Sequence, residues 1–532
     1  MEGKFKPIFS RSMRQGVFGG SLPILGYACF IAALFLSVNG YQFNTNDQAE
    51  HLPQIYQMLD SELYPNDYFV NASNSIFTVR YFYEKLVLAV AKTIGLEWGL
   101  FILTFSCISL MAYSIARMAD VFFEDKWAVI LAPLLAMFVF YNFTAGGNHI
   151  MYASFISSTG AKALAVFGLL HYFRNKFFLA GVWLGLATLI QPLVGLQLFL
   201  LVTVVEILIK RNWKSVSAVW MAYIPVSALI LVPVFVRQFG EESMYDKDLY
   251  YHILYVFRNH HHYLPSLFPK SHYLKFYALA AIGLLGYSLF KPNNQERIRG
   301  IIIWGNIGIL VYTSGLELLG IDAIGKLQWF KVTVWISMLS SIILSGIIGQ
   351  MLSGFWNPFS VRKYLLPFST LACLLLLIGI TNSKYLPDSF DGKYMVGNRN
   401  YSDLEKMHFW IESNTDKDIS VLVSPDNNSF PCQAKRSMPI HFQAIIHEPF
   451  FMLPWYEDYK EIYGVSIENL EGIDARKHAV DLFQTRNYRG TRKHIDYRID
   501  NLENCQFSDD LGPVIHLEGN WALTQFSPVD PS

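Results

Sequence analysis

Apolar residues in this chain gather into long runs, not into the short alternating or one-sided patterns of a water-soluble domain. A helix needs about 20 mostly apolar residues to cross a bilayer. Eleven stretches approach that length: 20–39, 98–116, 127–141, 159–172, 177–190, 193–209, 215–236, 273–290, 300–319, 328–352 and 364–380. The spans at 127–141, 159–172 and 177–190 are short, as tilted helices or broken helices lining a cavity would be. Between the first two runs, Leu52, Ile55, Tyr56, Leu59 and Leu63 recur at helical spacing in a polar segment. That stripe predicts a helix lying at the membrane surface. The segment 81–96 is interrupted by Glu84, Lys85 and Lys92 and predicts a second interfacial helix, not a further span. From 401 onward the pattern is that of a soluble fold. Ser402 and Glu405 have capping-box spacing ahead of an amphipathic helix. The β-branched run 418–424, ended by Pro425, predicts a strand. Segments 455–463 and 474–486 predict helices.

The expected fold is therefore an α-helical polytopic membrane protein of about 11 transmembrane helices, with a C-terminal external α/β domain. The predicted boundaries are 1–381 for the membrane part and 382–532 for the external domain. The membrane part includes two long external loops, 41–97 and 237–272. No internal repeat is visible.

Charge agrees with that division. Of 532 residues 52% are hydrophobic and 16% charged, and Lys plus Arg balance Asp plus Glu at 42 each. The 151-residue tail holds 23 acids and 15 bases, so its charge density is about that of a soluble domain. Neutrality argues against nucleic acid as a partner. The 41 Phe, 30 Tyr and 12 Trp exclude a disordered chain, and five Cys exclude a disulfide framework. Cys432 and Cys505 lie outside the predicted spans. An external compartment permits them to pair, and two free thiols are the alternative. Segments assigned to the cytoplasm hold 16 Lys/Arg in 59 residues, against 8 in 121 for the external ones. That bias sets the orientation: eleven spans starting inside leave the C-terminal domain outside, periplasmic if the membrane is a bacterial inner (plasma) membrane.

Candidate chemistry sits on the external side. Asp47 and Glu50 follow the first span directly. Pro53 requires any helix there to start near His51, which leaves both acids in the preceding loop and free to project. Helix capping is the competing reading for Asp47. The run His260-His261-His262 follows Arg258 in the loop 237–272. Adjacent histidines cannot all face one way on a helix, so they fit a phosphate or substrate contact better than zinc. Lys162 and Lys331 lie near the outer ends of their spans, with Arg80 and Arg258 at the same depth. Intramembrane cations are costly and suggest function, here a grip on a lipid-linked phosphate. Snorkelling is the structural alternative. Glu206 and Glu317, also near span ends, are expected to be solvated or paired. No nucleotide-binding or hydrolase motif is present.

The order of parts resembles the GT-C superfamily of membrane glycosyltransferases, which use polyprenyl-phosphate-linked sugars. The shared order is a first span, an acidic external loop with interfacial helices, many spans and an external C-terminal domain. The stretches DQAEHLPQIYQMLDSELYPNDYF, GLATLIQPLVGL and RNHHHYLPSLFP, with Trp410, Asn414 and Thr415, also look like a bacterial multi-pass membrane family. The GT-C resemblance implies that an acid of the first external loop is a base or a metal ligand, and Asp47 is the matching position. A divalent cation is the one cofactor this leaves open. Gln191-Pro192 stands where the family pattern suggests His-Pro, so no role is carried over there.

The expected function is transfer of a sugar from a polyprenyl-phosphate donor at the external face, with membrane lipid as partner. Asp47 or Glu50 would act as base. Arg80, Lys162, Arg258, His260, His261, His262 and Lys331 would hold the phosphate. The rivals are a multi-pass transporter, which should show repeats or paired broken helices, and a non-catalytic subunit of a polysaccharide assembly or export system.

Overall fold

The structure, a computed structural model, describes residues 21–44, 46–240, 245–290, 292–353, 401–467, 472–485, 494–503 and 512–526. Among these, six helices are long and apolar enough to cross a membrane: Leu22–Asn39, Leu96–Phe123, Pro192–Lys210, Trp213–Arg237, Gln295–Leu318 and Ala323–Ser353. Lys126–Val139 and Phe177–Ile190 are shorter apolar helices. Ser157–Phe173 and Lys270–Phe290 are helical where spans are expected. The expected eleventh span, 364–380, lies outside the described residues.

The long helices pack through small residues, as membrane helices do in the absence of a hydrophobic drive between them. A Cβ on Gly181 would come 2.3 Å from the Val219 carbonyl, and one on Gly185 would come 2.8 Å from Val226 Cβ. These two glycines let Phe177–Ile190 lie directly on Trp213–Gly240. The far side of Trp213–Gly240 presents Trp213, Met221, Leu229 and Phe235, all exposed, as a lipid-facing surface would. Glu206 is fully buried and paired: Arg297 Nε donates to its carboxylate at 2.7 Å and Tyr172 Oη at 2.8 Å. Glu317 accepts from the Ser266 amide at 2.9 Å.

The first loop holds three α-helices instead of two. Leu52–Leu59 and Tyr81–Ile94 match the predicted pair, and Tyr68–Ser75 lies between them. That third helix, YFVNASNS, has no apolar stripe. Its start is fixed by Asp67, whose carboxylate accepts from the Val70 amide at 2.9 Å. In the second loop the chain passes through a π-helical turn, His252–Arg258, and one helical turn, His260–Tyr263.

The C-terminal part carries the predicted capping box at Ser402 and Glu405 on Asp403–Asn414. It holds a four-stranded sheet in the order β1-β2-β4-β3, formed by β1 Val421–Leu422, β2 Tyr497–Asn501, β3 Val514–Glu518 and β4 Trp521–Gln525. β1 runs parallel to β2, and the other pairings are antiparallel. Met407, Ile411, Val421, Phe430, Ile499 and Leu523 make its small core. The segment from Ile440 to Val465 belongs elsewhere. Phe442, Phe451, Trp455 and Tyr459 are buried in the same core as the membrane helices. Cys432 is a free, buried thiol; Cys505 lies outside the described residues.

Candidate functional site

The site begins where the chain leaves the first membrane helix. Asn44 takes a left-handed turn at φ 56°, tolerable for Asn because its short polar side chain bonds locally. Its amide donates to Gln48 Oε1 at 2.8 Å, and its side-chain oxygen accepts from Tyr56 Oη at 2.8 Å. Gln48 in turn donates to the Phe155 carbonyl at 3.2 Å. These bonds fix a short 3-10 turn, Asn46–Glu50, ahead of the helix Leu52–Leu59. His51 is the N-cap of that helix and makes no side-chain capping bond. Asp47 thus projects from the turn. It is exposed, with protein on several sides. Gln443 Nε2 donates to its Oδ1 at 3.4 Å. Burial, with the Glu50 charge added, pushes the Asp47 carboxyl above the usual carboxylate range, against the pull of Arg80, Lys162 and Lys331.

Cations from four separate stretches converge here. Arg80, at the N-cap of Tyr81–Ile94, forms an ion pair with Glu50. Lys162, on Ser157–Phe173, donates to the His149 carbonyl at 2.6 Å and lies 4.6 Å from the centroid of the Tyr152 ring. Lys331 sits in the turn Trp329–Val332. Arg258 ends the π-helical turn, donates to Asn259 Oδ1 at 3.2 Å and to the Gln443 carbonyl, and stacks 5.0 Å above Phe442. Three of the four cations act on His447. It is pushed down to about 3 by burial and by the charges of Arg258, Arg80 and Lys331.

The three adjacent histidines lie against one another, with ring centroids 5.5 Å apart for His260 and His261 and 4.1 Å for His261 and His262, but their ring nitrogens find different partners. His260 Nδ1 faces the Val256 carbonyl at 3.2 Å, and His262 Nδ1 faces the Gly146 carbonyl at 3.1 Å. His261 alone is exposed. All three are held below the usual histidine range, chiefly by burial, His261 down to about 4. They are therefore neutral rings at pH 7, and the positive charge of the site comes from Lys and Arg.

No family model matches the sequence, and no curated protein does. Among solved structures, ArnT from Cupriavidus metallidurans in the apo state aligns with 94% of this chain and 97% of its own. The identity is 12% and the TM-score 0.37. At those values the likeness assigns neither a family nor an activity.

The sequence places Asp47, Glu50, Arg80, Lys162, Arg258, His260, His261, His262 and Lys331 on one candidate list, and the structure brings Asp47, Glu50, Arg80, Lys162, Arg258, His261, His262 and Lys331 to one region. His260 lies beside His261, with its Nδ1 turned to the Val256 carbonyl. Gln443, His447 and Arg476, whose guanidinium lies 4.3 Å from the centroid of the Phe442 ring beside Arg258, were not legible. They come from the C-terminal half, from stretches with no motif spacing and no isolated charge to single them out. As for a divalent cation, among the described residues no three His, Cys, Asp or Glu side chains form a ligand set. Glu50 is already paired with Arg80, and further cations surround Asp47. Such a donor set does not fit a metal ion.

Proposed function

We propose that this chain is a GT-C-type membrane glycosyltransferase that moves a sugar from a polyprenyl-phosphate-linked donor to an acceptor hydroxyl at the external face. The reading treats 1–381 as the membrane domain and 382–532 as the external one, in a bacterial inner membrane. The observation that carries it is one accessible carboxylate, Asp47, lying within the electrostatic reach of Lys162, Lys331, Arg80 and Arg258. Acid and cations are what a displacement at an anomeric carbon needs. Asp47 takes the proton of the acceptor hydroxyl, and its raised pKa makes it the stronger base for that task. The hydroxyl oxygen bonds to the anomeric carbon while the bond from that carbon to the phosphate oxygen breaks. Lys162 and Lys331 stabilise the negative charge left on the phosphate, and Arg258 adds its field from the second loop. Glu50, neutralised by Arg80, holds that arginine in place. His261, neutral and exposed, serves as a hydrogen-bonding group.

Asp47→Asn tests this. The amide keeps the shape and loses the proton acceptor, so glycosyl transfer should fall about 100-fold or more while the protein still folds. Glu50→Gln is the companion. If both variants transfer sugar, or complement a deletion, as well as wild type, the enzyme reading is wrong and a transporter or assembly subunit takes its place.

A further inference from the structure

Two arginines share one ring in this site. Arg258, from the second external loop, stacks 5.0 Å from the centroid of Phe442. Arg476, from the helix Gly472–Thr485, stacks 4.3 Å from the same centroid. Phe442 is buried, so both guanidiniums are held there by packing. The arrangement is repulsive on its own. Arg258 is nine-tenths buried, and its Nε finds no hydrogen-bond partner among the described residues. Among the described residues neither guanidinium closes an ion pair there. Asp426 acts on Arg476, and Glu50 and Asp47 on Arg258, through longer-range attraction only. Burial, with the Arg476 charge added, pushes Arg258 down to about 10, so it stays protonated at neutral pH. Exposed His261 lies in the field of both guanidiniums. A buried donor left unmade and two like charges on one ring are unfavourable until an anion arrives.

The charge count says which anion. Asp47, Glu50, Arg80, Lys162 and Lys331 sum to one formal positive charge, enough for the single charge of a phosphodiester. Arg258 and Arg476 add two more. We propose that Arg258 and Arg476 hold a second phosphate, so that the lipid-linked ligand of this site is a diphosphate. The C-terminal helix then supplies a phosphate contact directly. This rests on the glycosyltransferase reading above and narrows its donor.

The test uses the full chain in lipid nanodiscs, titrated with a farnesyl-monophosphate-linked sugar (the monophosphate, a diester of one charge), the matching farnesyl-diphosphate-linked sugar (the diphosphate) and inorganic diphosphate. Charge-assisted hydrogen bonds from two guanidiniums should make the diphosphate lipid bind at least about tenfold tighter than the monophosphate. Arg476→Gln should abolish that preference and change monophosphate binding by less than about twofold, because only the second phosphate is touched. Arg476→Lys keeps the charge and should retain part of the preference; it decides the matter if Arg476→Gln lowers the melting temperature. Monophosphate binding with no diphosphate preference would overturn the inference and leave the glycosyltransferase reading standing. Failure of both lipids to bind would remove both. Inorganic diphosphate binding as tightly as the lipid form would overturn the lipid assignment.

Discussion

Asp47 and Asp67 are both acids of the first external loop, and the structure gives them opposite duties. Asp67 is fully buried. It caps the helix Tyr68–Ser75 through the Val70 amide, and its other oxygen accepts from His441 Nε2 at 2.7 Å and the Met438 amide at 3.2 Å. Asp67→Ala removes a cap worth about 1 kcal/mol and strands a buried histidine. The total loss should be roughly 3 kcal/mol, the scale for a lost cap with buried donors left unmade, read as a lower melting temperature of the purified full chain. Asp47 behaves in reverse. A carboxyl whose pKa is raised by folding binds its proton more tightly in the folded state. Its stabilising contribution is lost as pH rises through that raised pKa, so at pH 7 the charged form is a cost. Asp47→Asn should therefore melt at or above wild type at pH 7, although transfer falls. Activity should decline as pH drops through the same raised pKa, because the base must be ionised. The acid limb of the pH profile should lie above the ordinary carboxylate value of about 4 and vanish in Asp47→Asn. Sequence alone singled out Asp47 because Pro53 fixed the helix start. It gave no signal for Asp67, which looks like one more polar loop residue until His441 is seen beside it.

Among the elements, those with a strong period were the most legible. Apolar runs predicted the long helices, and the box at Ser402 and Glu405 placed a helix start to the residue. The helix Tyr68–Ser75 escaped because capping by Asp67, not an apolar stripe, defines it. The strand expected over 418–424 shortens to Val421–Leu422, with Ser420 bridging to Ser437; few residues there find a partner strand. Helix packing was illegible, since it depends on which glycine meets which neighbour. Gly181→Ala makes that concrete. Its new methyl would meet the Val219 carbonyl backbone, which cannot rotate away, so overpacking should cost roughly 1–3 kcal/mol. Gly95→Ala is a control of a different kind. Nothing lies within 4 Å of its Cβ position, yet φ is 82°, so any loss there comes from backbone strain alone. Thermal melting of the two variants separates packing from strain.

For the whole molecule, the least legible feature is how firmly the part from 401 onward is built into the rest. Composition suggests a separate domain after the membrane part. In the fold, Phe442, Phe451, Trp455 and Tyr459 share the core of the membrane helices. Tyr64 Oη donates to the Pro431 carbonyl at 2.7 Å, Lys417 pairs with Asp60 and Glu62, and Arg237 pairs with Glu448. Ending the chain at 400 should therefore leave an aggregating membrane part instead of a stable smaller protein, as size-exclusion chromatography would show. The same contacts require the first loop and the part from 401 onward to lie on one side of the membrane. Cysteines placed at the exposed positions Glu62 and Asp403 should both react with an impermeant maleimide added from one side. Reaction of only one would break the topology.

Cys432 adds a clock to this seam. Its thiol is sealed beneath the first loop, with Sγ 3.3 Å from the Gln48 carbonyl, and burial pushes it far from the reactive thiolate form. A thiol reagent can reach it only when the loop that carries Asp47 parts from the C-terminal half. In a chain with its other cysteines replaced, the labelling rate of Cys432 therefore measures how often that joint breathes. A ligand that bridges the two sides should slow the rate without touching the sulfur.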